Sequence, residues 1–156
     1  PLIVYWAGIV KKGSENNQYV MVDDLFPTIL EMAGVDFRGR VSQVVDGKSF
    51  VPYLKDPGLR ENDRPLFWHF PHTYDQFPYS MVRKGDWKLI YRHLDQQMEL
   101  YHIPSDLSET KDLAEEETAI RTELAKLLSE YLRDVHAGMP VLTSTNQPVP
   151  YPDEID

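Results

Sequence analysis

Ser80-Met81-Val82-Arg83-Lys84-Gly85-Asp86-Trp87-Lys88-Leu89-Ile90-Tyr91 is the stretch that decides the fold. Two runs of β-branched and aromatic residues flank Lys84-Gly85-Asp86, and a glycine-bearing turn between such runs predicts a tight antiparallel hairpin. Upstream, Leu66-Phe67-Trp68-His69-Phe70 is a run of the same kind. Downstream, Glu99-Leu100-Tyr101-His102-Ile103 is another, reached through Asp95-Gln96-Gln97. Connections this short join antiparallel neighbours, because a parallel crossover needs about a dozen residues or more. The expectation is a meander of four strands.

A helix follows. Ile120, Leu124, Leu127, Leu128, Tyr131, Leu132 and Val135 recur at helical spacing, with charges on the other face. Glu115, Glu116 and Glu117 suit the positive end of its dipole, and Gly138 with Pro140 is read as its end. Each large side chain of that stripe, buried against the sheet, contributes about 1.5–3 kcal/mol. The predicted class is α+β: a four-stranded antiparallel sheet packed on a long C-terminal helix. Residues 139–156 are proline-rich without periodicity and read as an extended tail.

The first sixty residues differ. Leu2-Ile3-Val4-Tyr5-Trp6 is continuously apolar, the pattern of a strand buried on both faces of a parallel sheet; an apolar edge strand is the alternative. A helix opens near Asp24, read as its cap, with Pro27 in the first turn. Leu25, Phe26, Ile29, Leu30 and Ala33 form its apolar stripe and Gly34 its stop. This is a β-α piece of an upstream α/β domain. Asp46-Gly47-Lys48 is read as a turn, and Ser49 as the cap of a short helical turn through Leu54. The charged stretch Arg60-Glu61-Asn62-Asp63-Arg64 marks a boundary. The expected division is thus 1–60, 61–138 and the tail 139–156. A strand at 2–6 without neighbours would expose an edge, so pairing of two copies through it is expected.

Charge and composition narrow the function. Acidic residues outnumber basic ones, 25 to 16, which argues against a nucleic-acid partner. No run approaches the roughly 20 apolar residues of a membrane span. The chain has no cysteine, which excludes disulfides, thiolate metal sites and a cysteine nucleophile.

Taken in order, several stretches resemble the C-terminal third of sulfatases of the arylsulfatase type. They are Pro1-Leu2-Ile3-Val4-Tyr5-Trp6, Asp24-Leu25-Phe26-Pro27-Thr28-Ile29-Leu30-Glu31-Met32-Ala33-Gly34, and Asp46-Gly47-Lys48-Ser49-Phe50. Arg64-Pro65-Leu66-Phe67-Trp68-His69-Phe70-Pro71-His72, Arg83-Lys84-Gly85-Asp86-Trp87-Lys88-Leu89-Ile90 and Glu99-Leu100-Tyr101 continue the series. Ser105-Asp106-Leu107-Ser108-Glu109-Thr110-Lys111-Asp112-Leu113-Ala114 and Ala137-Gly138-Met139-Pro140 complete it. The resemblance implies a two-part enzyme related to alkaline phosphatases. Its large domain would carry a formylglycine made from Cys or Ser in a Cys/Ser-x-Pro-x-Arg motif, and a divalent metal, usually calcium. It also implies a smaller C-terminal domain with a four-stranded sheet on a long helix, an upstream catalytic domain as partner, a sulfated carbohydrate or aryl sulfate as substrate, and export to a periplasmic or extracellular space.

No serine here is followed by Pro two places on and Arg four places on, so the nucleophile's precursor is absent from these residues and no catalytic residue is assigned. Asp23-Asp24 looks like the acidic pair of the family's metal site, but the Leu-Phe-Pro-Thr that follows favours helix capping. His69 and His72 have His-x-x-His spacing, yet Pro71 between them and the lack of a third ligand argue against a metal. In sulfatases, loops of the C-terminal domain reach the pocket rim. Here His69, His72 and Tyr74 are the candidate substrate contacts, in a loop that also holds Asp75, Gln76 and Tyr79; a surface loop packing its aromatics on the sheet is the alternative. Arg83, Arg92 and His93 suit either contacts to a polyanion or a solvated sheet face, the latter preferred. Trp68 and Trp87 are read as packing residues before a sugar platform. Two other functions compete: a fragment of a related phosphodiesterase, and a non-catalytic glycan-binding or interaction module.

Overall fold

A computed structural model describes residues 2–74 and 77–155. The chain divides into two compact units, Pro1–Glu61 and Asn62–Asp156.

In the first unit, a 3-10 turn at Val22–Asp24 runs into helix α1 (Leu25–Met32), and a short helix α2 (Val51–Lys55) follows. Asp24 does not cap α1. It is fully buried and reaches backwards and across: one carboxylate oxygen accepts the Met21 N–H at 2.8 Å and the other the Lys48 N–H at 2.7 Å. The Thr28 hydroxyl oxygen accepts the Phe50 N–H at 3.0 Å, so the two helices are tied through backbone amides. Phe50, not Ser49, takes the cap position of α2; the Ser49 hydroxyl, one residue earlier, accepts the Val51 N–H at 3.3 Å. α1 ends at Gly34, whose φ of 69° places it in the left-handed region. There the Val35 N–H reaches Leu30 O at 2.9 Å and the Gly34 N–H reaches Glu31 O at 3.0 Å, a Schellman closure.

Two expectations for this unit are corrected. Residues 2–6 form no strand: they join no ladder among the described residues, and Ile3 and Tyr5 are 93% and 89% exposed. A strand's amides and carbonyls need a neighbouring ladder, and none lies among the described residues. The pairing of copies expected there therefore lacks a preformed edge to add to. The α1 stripe is also open, with Leu25, Phe26 and Ile29 exposed, while Pro27 and Thr28 on another face are buried.

The second unit is the predicted α+β fold. Strands β1 (Leu66–Phe70), β2 (Tyr79–Lys84), β3 (Trp87–Arg92) and β4 (Gln97–His102) form an antiparallel sheet in sequential order. The two-residue turn Gly85-Asp86, with Gly85 at φ 57°, sets the register: Lys84 faces Trp87, Val82 faces Leu89 and Ser80 faces Tyr91. One face carries Val82, Leu89, Tyr91 and Leu100, all at 0% exposure, and helix α3 (Thr118–Asp134) covers it with Leu124, Leu128 and Leu132. Phe67 stacks on Tyr131 with ring centroids 3.9 Å apart. The outer edge of β4 is partly satisfied by the chain after it. Asp112 accepts the Leu100 N–H at 2.9 Å, and the Leu113 N–H donates to Leu100 O at 2.8 Å. No helix among the described residues is long and apolar enough to cross a membrane.

α3 ends differently from the prediction. His136, with φ 51°, takes the left-handed position, not Gly138. The Ala137 N–H bonds Leu132 O at 2.9 Å and the His136 N–H bonds Arg133 O at 3.1 Å, again a Schellman closure. A side chain in this conformation is strained, so His136→Gly is expected to stabilise the unit by about 0.5–1 kcal/mol, read as a higher urea midpoint.

Nor is the tail an extended coil. Strands β5 (Val141–Leu142) and β6 (Gln147–Pro148) pair, and a 3-10 turn spans Pro152–Glu154. Val149 is 2% exposed and belongs to the core. The Tyr91 hydroxyl donates to Pro150 O at 3.0 Å, and Ser129 Oγ accepts the Asp153 N–H at 3.0 Å. Arg133 grips Asp153 through two bonds of 2.7 and 2.8 Å and sits over the Tyr151 ring at 4.4 Å. Composition hid this, because the contacts are made one residue at a time and leave no period.

Candidate functional site

The candidate residues lie at one end of the sheet, where β1 turns into β2. β1 alternates, placing Phe67 and His69 on the face that also bears Val82 and Ser80, and Trp68 and Phe70 on the other. His69 is half-buried, and both of its ring nitrogens are engaged. Nδ1 lies 2.8 Å from Ser80 Oγ, and Nε2 lies 3.2 Å from Gly138 O. Ser80 Oγ in turn lies 2.9 Å from Nε2 of His93, which is fully buried and whose Nδ1 has no partner among the described residues.

The protons in this chain are determined by its ends. Gly138 O can only accept, so Nε2 of His69 carries the hydrogen and its Nδ1 accepts from the Ser80 hydroxyl. The Ser80 oxygen then accepts from Nε2–H of His93, leaving a bare Nδ1. Burial lowers His69 below the ordinary imidazole range, outweighing the Gly138 carbonyl, and His72 adds to the depression. Burial pushes His93 down to about 4, with His69 adding to it. Protonated His93 would bury a second N–H that finds no acceptor among the described residues.

This depression has a sign. The unfolded imidazole takes its proton near 6.5 and the folded one near 4, so between those values the unfolded chain holds more protons. Stability is complete above pH 6.5 and falls as pH drops towards 4, a loss of about 2 kcal/mol after allowance for screening. Urea unfolding at pH 7.5 and 4.5 should show the loss in the native protein, and a smaller one in His93→Gln.

His72 and Tyr74 stand outside the chain of bonds, on the exposed loop. Tyr74 is 80% exposed; its ring lies 5.7 Å from that of His72 and 6.5 Å from that of Phe70. Phe70 also meets His72 at 5.9 Å and Tyr79 at 6.0 Å, so a cluster of rings continues from the outer sheet face into the loop. Asp75 and Gln76 lie outside the described residues. Arg92 is not free to greet an anion: it pairs with Asp95 and Glu99, each at 3.2 Å, and lies 5.1 Å from the Phe77 ring centre. His93, read from sequence as a surface residue, is interior; it directly follows β3, and its N–H donates to Pro78 O at 3.0 Å.

The structure thus groups His72 and Tyr74 as accessible and separates His69 from them as engaged. Ser80, His93 and Gly138 were missed as its partners. The register set by the Gly85 turn could have placed Ser80 on the core face opposite Tyr91. Nothing in the sequence brings Gly138 to His69. Trp87 packs edge-on against His102 at 4.8 Å. Among the described residues no three His, Asp or Glu side chains converge as a metal site, and Asp24 spends its carboxylate on backbone amides.

Comparison with known proteins bears on what this arrangement is for. The family described as N-sulphoglucosamine sulphohydrolase, C-terminal, matches residues 1–137. A sulfatase of Formosa agariphila is 34% identical over 166 residues, covering 97% of this chain and 30% of that protein. An N-acetylglucosamine-6-O-sulfatase of Bacteroides thetaiotaomicron is 28% identical over 138 residues, covering 83% of this chain and 24% of that protein. A protein solved in complex with its substrate D-glucosamine-2-N,6-O-disulfate superposes with a TM-score of 0.68 at 26% identity, over 84% of this chain and 27% of that one. The chain therefore spans less than a third of the length of these relatives. The sheet, its covering helix and the match over residues 1–137 agree: the chain belongs to the sulfatase family and corresponds to the C-terminal part of a sulfatase.

Proposed function

We propose that this chain forms the C-terminal part of an enzyme that hydrolyses sulfate esters of carbohydrates, and that its β1–β2 loop supplies part of the substrate-pocket rim. The observation that carries the rim reading is the exposed His72–Tyr74 pair, backed by Phe70 and Tyr79 and set on a rigid sheet. Rings of this kind suit the apolar face of a sugar, while an imidazole can bond its hydroxyls. The relatives that act on sulfated glucosamine favour a sulfated amino sugar over an aryl sulfate.

Sulfate-ester hydrolysis needs a nucleophile at sulfur and positive charge for the sulfuryl oxygens. The sequence holds no formylglycine precursor, and among the described residues no three His, Asp or Glu side chains group as a metal site. In this reading the formylglycine and calcium belong to an upstream catalytic domain, and the division near residue 61 is the boundary between its last piece and the C-terminal subdomain. The open α1 stripe and residues 2–6 are then the surfaces on which that domain closes.

The test is steady-state kinetics of the longer gene product. His72→Ala and Tyr74→Ala should raise KM for a 6-O-sulfated glucosamine about tenfold, while hydrolysis of a small aryl sulfate changes less than twofold. Equal effects on both substrates, or none on either, would sink the rim reading. Turnover by residues 1–156 alone would refute the assignment of the chemistry to an upstream domain.

A further inference from the structure

The chain of bonds through His69, Ser80 and His93 joins both feet of the loop that carries His72 and Tyr74. His69 is the penultimate residue of β1, just before the loop leaves the sheet; Pro78 and Ser80 bracket its return. His93 holds the return side twice, by its N–H to Pro78 O at 3.0 Å and by its ring to Ser80 Oγ at 2.9 Å. Ser80 passes the connection to His69 at 2.8 Å, and His69 extends it to Gly138 O, beyond the end of α3. His69 and His93 thus meet on the Ser80 hydroxyl, and His69 alone carries the connection on to the distant Gly138.

We infer that Ser80 and His93 are positioning residues: they staple the two feet of the β1–β2 loop and so set where His72 and Tyr74 stand. Ser80 and His93 are polar groups at 0% exposure, beside Val82, Leu89 and Tyr91. Burial of such groups is costly unless their bonds are made. The arrangement is also single-valued. Each imidazole is neutral with its hydrogen on Nε2, and the one Ser80 proton is spent on His69, so no other placement satisfies the same bonds. A proton added to His69 would leave the Ser80 hydroxyl without its acceptor, and one added to His93 would be unpaired. The titratable groups facing the staple are His72 from the loop, Tyr91 from β3 and the two imidazoles themselves. Among the described residues, neither His69 nor His93 takes part in an ion pair. The functional weight of the inference rests on the rim reading above; its structural content does not.

The experiment is NMR on the chain itself. Long-range 15N correlations at pH 7 should find both His69 and His93 with hydrogen on Nε2. In Ser80→Ala, the heteronuclear NOE of the His72 and Tyr74 amides should fall, and the pH at which their order is lost should rise, since His69 no longer accepts a hydroxyl proton. Protection of the Leu89 and Leu100 amides should stay within about threefold of native, showing an intact core. Ser80→Thr, which keeps a hydroxyl in a strand position that favours β-branching, should restore the loop. An Nδ1–H tautomer at either histidine in the native chain would overturn the staple, and so would unchanged loop order in Ser80→Ala. Should Ser80→Ala fail to fold, the native tautomers and the Ser80→Thr rescue decide alone. Loss of loop order in Ser80→Ala without any change in KM of the longer enzyme would count against the rim reading and leave the staple standing.

Discussion

Gly47→Ala is expected to destabilise the first unit by about 3 kcal/mol, the sum of forced backbone separation and lost amide bonds. A Cβ at Gly47 would fall inside the van der Waals envelope of the Asp23 carbonyl and press on the Asp24 amide. Backbone cannot rotate out of the way as a side chain can. To make room, the segment 46–50 must move off the 3-10 turn at Val22–Asp24, and that movement pulls the Lys48 N–H from Asp24 and the Phe50 N–H from Thr28. Asp24 would then be a buried carboxylate missing one of its donors. Hydrogen exchange provides the check: the Lys48 and Phe50 amides should lose protection by at least tenfold. Retained protection at both would show that the contact yields cheaply. The clash arises within residues 23–47, so Leu89 and Leu100 serve as unaffected references.

Leu128→Ala is the second large effect, expected at about 3 kcal/mol. Leu128 has 0% exposure at the middle of α3 and packs in the cluster with Leu89, Tyr91 and Leu100. Removing its side chain loses transfer energy and leaves a cavity between a rigid sheet and a rigid helix, which cannot collapse easily. Against a net stability of about 5–15 kcal/mol typical of a domain, this is a large share. Urea unfolding followed by tryptophan fluorescence, with Trp68 and Trp87 in the sheet, measures it. Leu107→Ala is the control: that side chain is 82% exposed and its loss should cost under about 0.5 kcal/mol. Similar shifts in both variants would mean that helix and sheet are not held by this core.

Much of the second unit is legible in the sequence. The strand at Leu66–Phe70 was read with its observed limits, the other three within two residues, and the order of the meander follows from connections too short to cross over. The α3 stripe was legible because one face of a long helix repeats its demand for burial every turn; Leu124, Leu128 and Leu132 answer it, while Val135, past the last turn, is 48% exposed. The candidate site was legible only in part. Exposed aromatics and an imidazole between strands are visible as residue types, so His72 and Tyr74 could be named. His69 could be named too, but not the fact that its nitrogens are already occupied.

What sequence alone determined is whatever repeats or is local: alternation in strands, the glycine turn at Gly85, the apolar stripe of α3, and the absence of a sulfatase nucleophile from these residues. Tertiary structure alone decided the single contacts between distant segments. It showed that Asp24 reaches Lys48 and Met21 instead of capping α1, that Gly47 exists for a close approach, that the tail from Val149 to Glu154 closes the core, and that His93 faces inward to Ser80. The reason is physical. A periodic pattern is stated many times along the chain, whereas a hydrogen bond across 24 or 69 residues is stated once, and only folding brings its two ends within 3 Å or so of each other.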